Sequence, residues 1–167
     1  MKKGYIEMKK NEEKQVAHFV ESVSSFFSEV ESWILSSPLK VGIEEIQITE
    51  ENAGSYKINK HKIQDESDKK VADLVPIGTF IIGANGRIDL NGTIDRVVIV
   101  HLEINSPAMT TKVTVGNHRK TPTTYFYKGI EKSGWYWIED SRRSKAHFMD
   151  RKLFCELLKE VSDYELD

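Results

Sequence analysis

The sequence predicts an α+β fold with a long N-terminal helix, a mostly antiparallel meander sheet of six to eight strands, and a C-terminal helix packed on the sheet. Apolar residues recur at steps of three and four in the first and last segments, as on one face of a helix. The segments between them are rich in β-branched and aromatic residues, which favour strands. Helices at the two ends of a block of strands are typical of the α+β class.

The first predicted helix runs from Asn11 to Ser36. The apolar residues with helical spacing are Val16, Phe19, Val20, Val23, Phe26, Phe27, Val30, Trp33 and Ile34. Pro38 ends the helix, because the residue before a proline is pushed out of the α region. Residues 1–11 lack the spacing and are expected to be flexible. We expect the helix to pack on the sheet; a coiled-coil homodimer is the alternative, although only about three heptads are present.

The strands are predicted from short segments and the turns between them. VGIEEIQI and SYKI are followed by NKHKIQDESDKK, which has no periodicity and predicts an exposed loop, or a ragged strand connection, over residues 59–70. VADLV, TFIIG, RIDL and RVVIVHLEI are separated by Pro76 and by two Asn-Gly pairs, which suit tight hairpin turns. KVTV, TTYFYK and GWYWIE complete the strands. Asp150 is the predicted N-cap of a last helix that runs to Asp163.

Length and composition are those of an ordinary globular protein. The 167 residues suit one α+β domain over residues 1–167, with 39% hydrophobic and 30% charged residues. No segment approaches the roughly 20 apolar residues that span a bilayer, so no membrane partner is expected. Cys155 is the only cysteine, which excludes an intrachain disulfide. These features predict a cytoplasmic protein.

Charge is distributed unevenly along the chain. Residues 111–152 hold ten lysines and arginines against four acids, a net charge of +6, whereas the whole chain carries −2. Two turn-like stretches of this segment contain the candidate binding residues Arg119, Lys120, Arg142, Arg143 and Lys145. We therefore predict a non-catalytic module without a cofactor that binds a protein or another anionic macromolecule, with nucleic acid as an alternative partner.

A catalytic interpretation comes from residues 86–105, GRIDLNGTIDRVVIVHLEIN. This segment resembles in outline the core motif of the restriction-endonuclease-like nucleases. The resemblance implies that the carboxylates of Asp89 and Glu103 would hold Mg²⁺, with His101 as a further candidate site residue. Asn105 stands where the motif has a lysine that stabilises the attacking hydroxide.

Alternation of side chains along the two strands permits this site. If Ile88 and Leu90 face the core, Asp89 points away from it. If the even-numbered residues of 98–104 face the core, His101 and Glu103 also point to the opposite side. The same pattern is typical of an ordinary hairpin with polar residues on its outer side. The sequence favours the hairpin, and a nuclease or phosphodiesterase that uses Mg²⁺ is the alternative function.

The histidines form no local metal-binding motif. They are His18, His61, His101, His118 and His147. None of them forms a His-x-His or His-x3-His pair. The sequence alone leaves open a site assembled from distant residues, and it favours His101 as a packed residue of a strand.

Overall fold

The computed structural model describes residues 2–104, 108–110, 113–115, 118–120, 123–139 and 144–166. The elements in chain order are α1 (Lys2–Ile34), β1 (Lys40–Glu50), β2 (Gly54–Gln64), β3 (Lys70–Gly78), β4 (Gly86–Gly92), β5 (Arg96–Leu102), β6 (Ala108–Thr110), β7 (Val113–Val115), β8 (His118–Lys120), β9 (Thr123–Tyr125), β10 (Gly134–Ile138), β11 (Ala146–Phe148) and α2 (Arg151–Ser162). Within the described ranges, no helix is long and apolar enough to cross a membrane.

One antiparallel sheet forms the centre of the structure. Its seven strands lie in the order β1-β2-β3-β4-β5-β10-β11, and every neighbouring pair is antiparallel. In the chain between β5 and β10, β6 pairs with β9 and β7 pairs with β8. These two nested ladders, strands β6 to β9, are named here the β-arm. The predicted α+β fold with a meander sheet is confirmed.

Both helices pack on the same face of the sheet, named here the inner face. The buried apolar stripe of α1 consists of Phe19, Val23, Phe26, Phe27, Val30 and Ile34. The buried side chains of α2 are Phe154, Leu157, Leu158 and Val161. These side chains share one core with residues of the sheet, and each contributes about 1.5–3 kcal/mol to stability when fully buried. The apolar stripe that a coiled-coil homodimer requires is thus buried against the sheet of the same chain.

Helix α1 starts earlier than the sequence predicts. It begins at Lys2, so residues 2–11 form its first turns. The expectation that this segment is flexible stays a prediction. This segment contains lysine, glutamate and methionine, which favour helix even without an apolar stripe. At the other end, the Ile34 carbonyl accepts a hydrogen bond from the backbone N–H of Ser37 at 2.9 Å. Pro38 then follows, as predicted.

Residues 59–70 do not form the predicted exposed loop. Residues 59–64 belong to β2, and residues 65–69 form only the turn before β3. Two lysines of this segment pair with one carboxylate of β1: Lys60 Nζ lies 3.4 Å from one Glu44 oxygen, and Lys62 contacts the other. Cross-strand ion pairs allow a strongly charged segment to join a sheet. The loop prediction is wrong because the neutralising partner lies on another strand.

The predicted strand at residues 79–83 is instead a compact loop. The Glu50 carboxylate accepts hydrogen bonds from the backbone N–H groups of Thr79 and Phe80, at 2.8 to 3.1 Å. It also accepts from the Tyr56 hydroxyl. Burial, followed by the hydrogen bond to Glu50, raises the pKa of Tyr56, so this hydroxyl keeps its proton. A side chain thus binds the amides that a neighbouring strand would otherwise bind.

The loop between β4 and β5 holds the C-terminal end of α2. The backbone N–H groups of Ile94 and Asp95 donate to the Val161 carbonyl at 2.8 and 3.1 Å. A Cβ added to Gly92 would lie only 2.0 Å from the same Val161 oxygen. The N-terminal end of α2 is capped as predicted by Asp150, whose carboxylate accepts from a backbone N–H of the first turn at 2.8 Å.

We expect Gly92→Ala to lower the free energy of unfolding by at least about 2 kcal/mol, because the methyl group must push α2 away from the loop. Gly42→Ala is the matched control. Its Cβ would meet its nearest neighbours at 3.8 Å, an ordinary contact, so its stability should stay within about 0.5 kcal/mol of the parent. Urea denaturation measures both values. Equal stability of Gly92→Ala and the parent would contradict the close packing of α2.

Candidate functional site

Asp89 lies on the outer face of the sheet, opposite to the helices. It stands on β4 between Ile88 and Leu90, which belong to the inner core. Its side chain is 4% exposed and pairs with Arg87 through two contacts of 2.6 and 2.9 Å, while Arg96 lies 3.5 Å away. The hydrogen bond to Asp89 raises the pKa of Arg87. Arginines therefore engage both carboxylate oxygens.

Asp89 lies apart from the other two residues of the candidate nuclease site, His101 and Glu103. β4 and β5 pair Gly86 with His101, and Gly86 is three residues from Asp89, or about 10 Å along the strand. The side chains of Asp89 and His101 also point to opposite faces, because His101 packs against α1 on the inner face. Asp89 and Glu103 thus form no shared carboxylate pair, and Asn105 lies outside the described residues.

Strand β5 is buried on both of its faces. Val97 and Ile99 belong to the inner core, whereas Val100 and Leu102 belong to a second cluster on the outer face. A strand that is buried on both sides has no polar–apolar alternation, so its orientation cannot be read from its sequence. The expectation that the even-numbered residues of 98–102 face the main core is wrong for this reason.

His18, His101 and Glu103 converge where α1 crosses the end of β5. One ligand-type atom from each residue lies within 4.8 Å of the other two. His18 Nε2 is 3.4 Å from Glu103 Oε1, and the two imidazole rings meet edge to face with centroids 5.7 Å apart. Burial, and then His18, lowers the pKa of His101, while Glu103 acts in the opposite direction. These three residues are named here the histidine cluster.

A glycine allows α1 to approach the sheet at the histidine cluster. Gly86 pairs with His101, and a Cβ added to Gly86 would lie 2.6 Å from the Phe19 ring. His18 is next to Phe19 in α1, so this close packing brings His18 over the end of β5. The two histidines are 83 positions apart in the chain, and no local spacing predicts such a pair. The sequence did show that His18 lies next to the apolar stripe of α1, and this position indicates that His18 lies close to the sheet.

His61 lies in a pocket of about 370 Å³ between α1 and the β1–β2 hairpin. It is 5% exposed, and its ring packs on Phe27 with centroids 4.3 Å apart. Its Nε2 lies 3.4 Å from Glu31, whereas the buried Nδ1 has no hydrogen-bond partner among the described residues. Burial lowers the pKa of His61, and Glu31 opposes this shift. Protonation of this buried ring is therefore unfavourable.

The structure describes part of the predicted basic surface. Arg119 and Lys120 lie on β8, within the β-arm. Lys145 is exposed just before β11. Arg142 and Arg143 lie outside the described residues. The prediction that these five residues form one binding surface stays a prediction.

Backbone hydrogen bonds join the second basic stretch to the base of the β-arm. Lys128, three residues after β9, donates its N–H to the Ser144 carbonyl and accepts from the Ala146 N–H, both at 2.8 Å. The side chains of Lys128 and Lys145 are exposed. Two regions that are separate in the sequence thus lie side by side.

A groove of about 520 Å³ lies next to this junction on the outer face. Its lining includes Val98, Val100, Phe126 and Ile138 as apolar residues, together with Arg96. Phe126 is 37% exposed. The combination of exposed lysines and an apolar groove is named here the outer groove region. It was not predicted, because its apolar residues come from three separate segments of the chain.

No protein-family model, no curated protein and no solved structure matches the chain. A function must therefore be argued from the chemistry of specific residues, since a fold alone does not imply an activity. The histidine cluster and the outer groove region are the arrangements considered below.

The buried histidines predict a loss of stability in acid. A histidine whose pKa is lowered by folding binds more protons when unfolded, so its contribution is complete above the unfolded pKa of about 6.5 and is lost as the pH falls below that value. His61 and His101 both shift in this direction. We expect the free energy of unfolding to fall between about pH 7 and pH 5, and to fall less in His61→Gln. Identical pH slopes for the variant and the parent in urea denaturation would contradict the burial of this ring.

Proposed function

We propose that this protein is a non-catalytic module that binds an acidic and partly apolar segment of a partner protein in the outer groove region and along the β-arm. One observation carries the proposal: the backbone contacts of Lys128 place the stretch around Lys145 at the base of the β-arm, directly beside an apolar groove. Cationic and apolar surface together suit a peptide that carries both carboxylates and apolar side chains.

The charge of this region supports an acidic partner. Residues 111–152 carry +6 in a chain whose total is −2. Among the described residues, no carboxylate pairs with Lys128 or Lys145, whose side chains are exposed. A cluster of unpaired cations attracts an oppositely charged surface and accelerates its association, most strongly at low ionic strength.

The arrangement of the aromatic residues favours a protein over a nucleic acid. Binding of single strands relies on exposed rings on which bases stack. Here the ring of Trp137 packs on His147, with centroids 5.6 Å apart, and Lys132 covers the Phe148 ring at 3.7 Å. Tyr136 is buried. These ring faces are engaged within the chain, and Phe126 is the exposed ring of the groove. One exposed ring beside aliphatic residues suits the apolar side chains of a peptide better than a run of stacked bases.

A cytoplasmic location is part of the proposal. Cys155 is the only cysteine of the chain, and it lies half-buried in α2. Burial raises the pKa of its thiol, which keeps it protonated and weakly reactive. A chain without disulfides suits a reducing compartment.

The proposal is tested by fluorescence anisotropy with a labelled 12-residue peptide rich in glutamate and leucine. We expect the parent to bind this peptide, with an affinity that falls as salt is added. The double variant Arg142→Glu, Arg143→Glu should bind at least about tenfold more weakly, because it reverses two charges beside Lys145. Its Tm should stay within a few degrees of the parent.

The double variant Lys9→Glu, Lys10→Glu is the matched control, since it makes the same change of net charge on the exposed surface of α1. It should keep most of the affinity of the parent. No binding by the parent, or equal weakening in both double variants, would overturn the proposal. Tighter binding of a 12-residue oligothymidine than of the peptide would assign the region to nucleic acid instead.

A further inference from the structure

We propose that the histidine cluster, His18, His101 and Glu103, is a binding site for a zinc-class divalent cation. The donor set is two imidazoles and one carboxylate, which is the set that zinc and neighbouring transition metals prefer. Mg²⁺, the ion implied by the nuclease resemblance, requires mainly oxygen ligands and suits this set poorly. The site lies on the inner face, so it is independent of the outer groove region.

One of the distances within the histidine cluster matches that between two ligands of a tetrahedral site. A zinc–ligand distance of about 2.0–2.1 Å places two ligand atoms of a tetrahedron about 3.3–3.4 Å apart. His18 Nε2 and Glu103 Oε1 are 3.4 Å apart. The largest separation within the cluster is below 4.8 Å, so small side-chain rotations bring all three atoms to one ion.

One half of the cluster is rigid and the other half can adjust. His101 is buried, its ring packs edge to face on Trp135 with centroids 5.1 Å apart, and its carbonyl accepts from the backbone N–H of Asn85 at 2.8 Å. The side chains of His18 and Glu103 are 55% and 41% exposed. An ion would therefore reach the site from solvent, and the two exposed ligands would close on it against the fixed imidazole of His101.

Three protein ligands leave one position of a tetrahedral ion open. A cavity of about 320 Å³ lies beside the cluster and is lined by both histidines, Glu21 and Trp135. Water or a small ligand would occupy this fourth position, an arrangement found in zinc sites that act on bound molecules rather than in closed structural sites.

Isothermal titration calorimetry with Zn²⁺ at about pH 7.5 tests the site directly. We expect one ion per chain in the parent and no comparable heat with Mg²⁺. His18→Ala should weaken Zn²⁺ binding by at least about 100-fold, since it removes a direct ligand. Alanine is a strong helix former, so the fold of this variant, checked by circular dichroism, should be retained. Glu103→Gln removes the carboxylate and leaves the sequence of α1 unchanged, and it should also weaken Zn²⁺ binding.

His147→Ala is the matched control, because His147 and Glu139 form a histidine–carboxylate pair at 2.9 Å without a third ligand among the described residues. It should bind Zn²⁺ as the parent does. The inference would be overturned if the parent bound no stoichiometric Zn²⁺, if His18→Ala and Glu103→Gln bound it as tightly as the parent, or if His147→Ala lost binding. Peptide binding in the outer groove region is measured separately, so failure of one proposal leaves the other intact.

Discussion

The packing of α1 against the inner face of the sheet is the contact on which the rest of the structure depends. Phe26 packs on Trp135 with ring centroids 5.6 Å apart, and the indole N–H of Trp135 donates to the Ser22 carbonyl at 3.2 Å. Each fully buried side chain of the stripe contributes about 1.5–3 kcal/mol, so the stripe as a whole is comparable to the net stability of a domain, about 5–15 kcal/mol. The same contact places His18 over β5 and covers His61.

The two faces of the sheet carry different chemistry. The inner face combines the main core with the buried histidines, whereas the outer face holds the Asp89–Arg87 ion pair, a second apolar cluster and the outer groove region. β5 contributes to both faces, because it is buried on both. The proposed metal site and the proposed protein-binding region therefore share a strand but no side chain, and each can be altered without changing the other.

Local patterns in the sequence predict both helices, the N-cap Asp150 and most strands, because periodicity and capping depend on residues within a few positions of each other. The errors arise where a distant residue decides the structure. Glu50 binds the amide of Phe80, thirty positions away, and turns a predicted strand into a loop. Similarly, the charges of β2 are matched on β1, and His18 meets His101 only because α1 crosses the sheet. Local sequence patterns carry no information about contacts between residues that are distant in the chain.

The most direct test of this account is whether α1 and the sheet unfold together. Urea denaturation can be followed by far-ultraviolet circular dichroism, which reports mainly on helix, and by tryptophan fluorescence, which includes Trp135 and Trp137 of β10. If α1 belongs to the core, both signals should change in one coincident transition. A helical signal that persists after the fluorescence transition, or that is lost well before it, would contradict the central role given to the packing of α1.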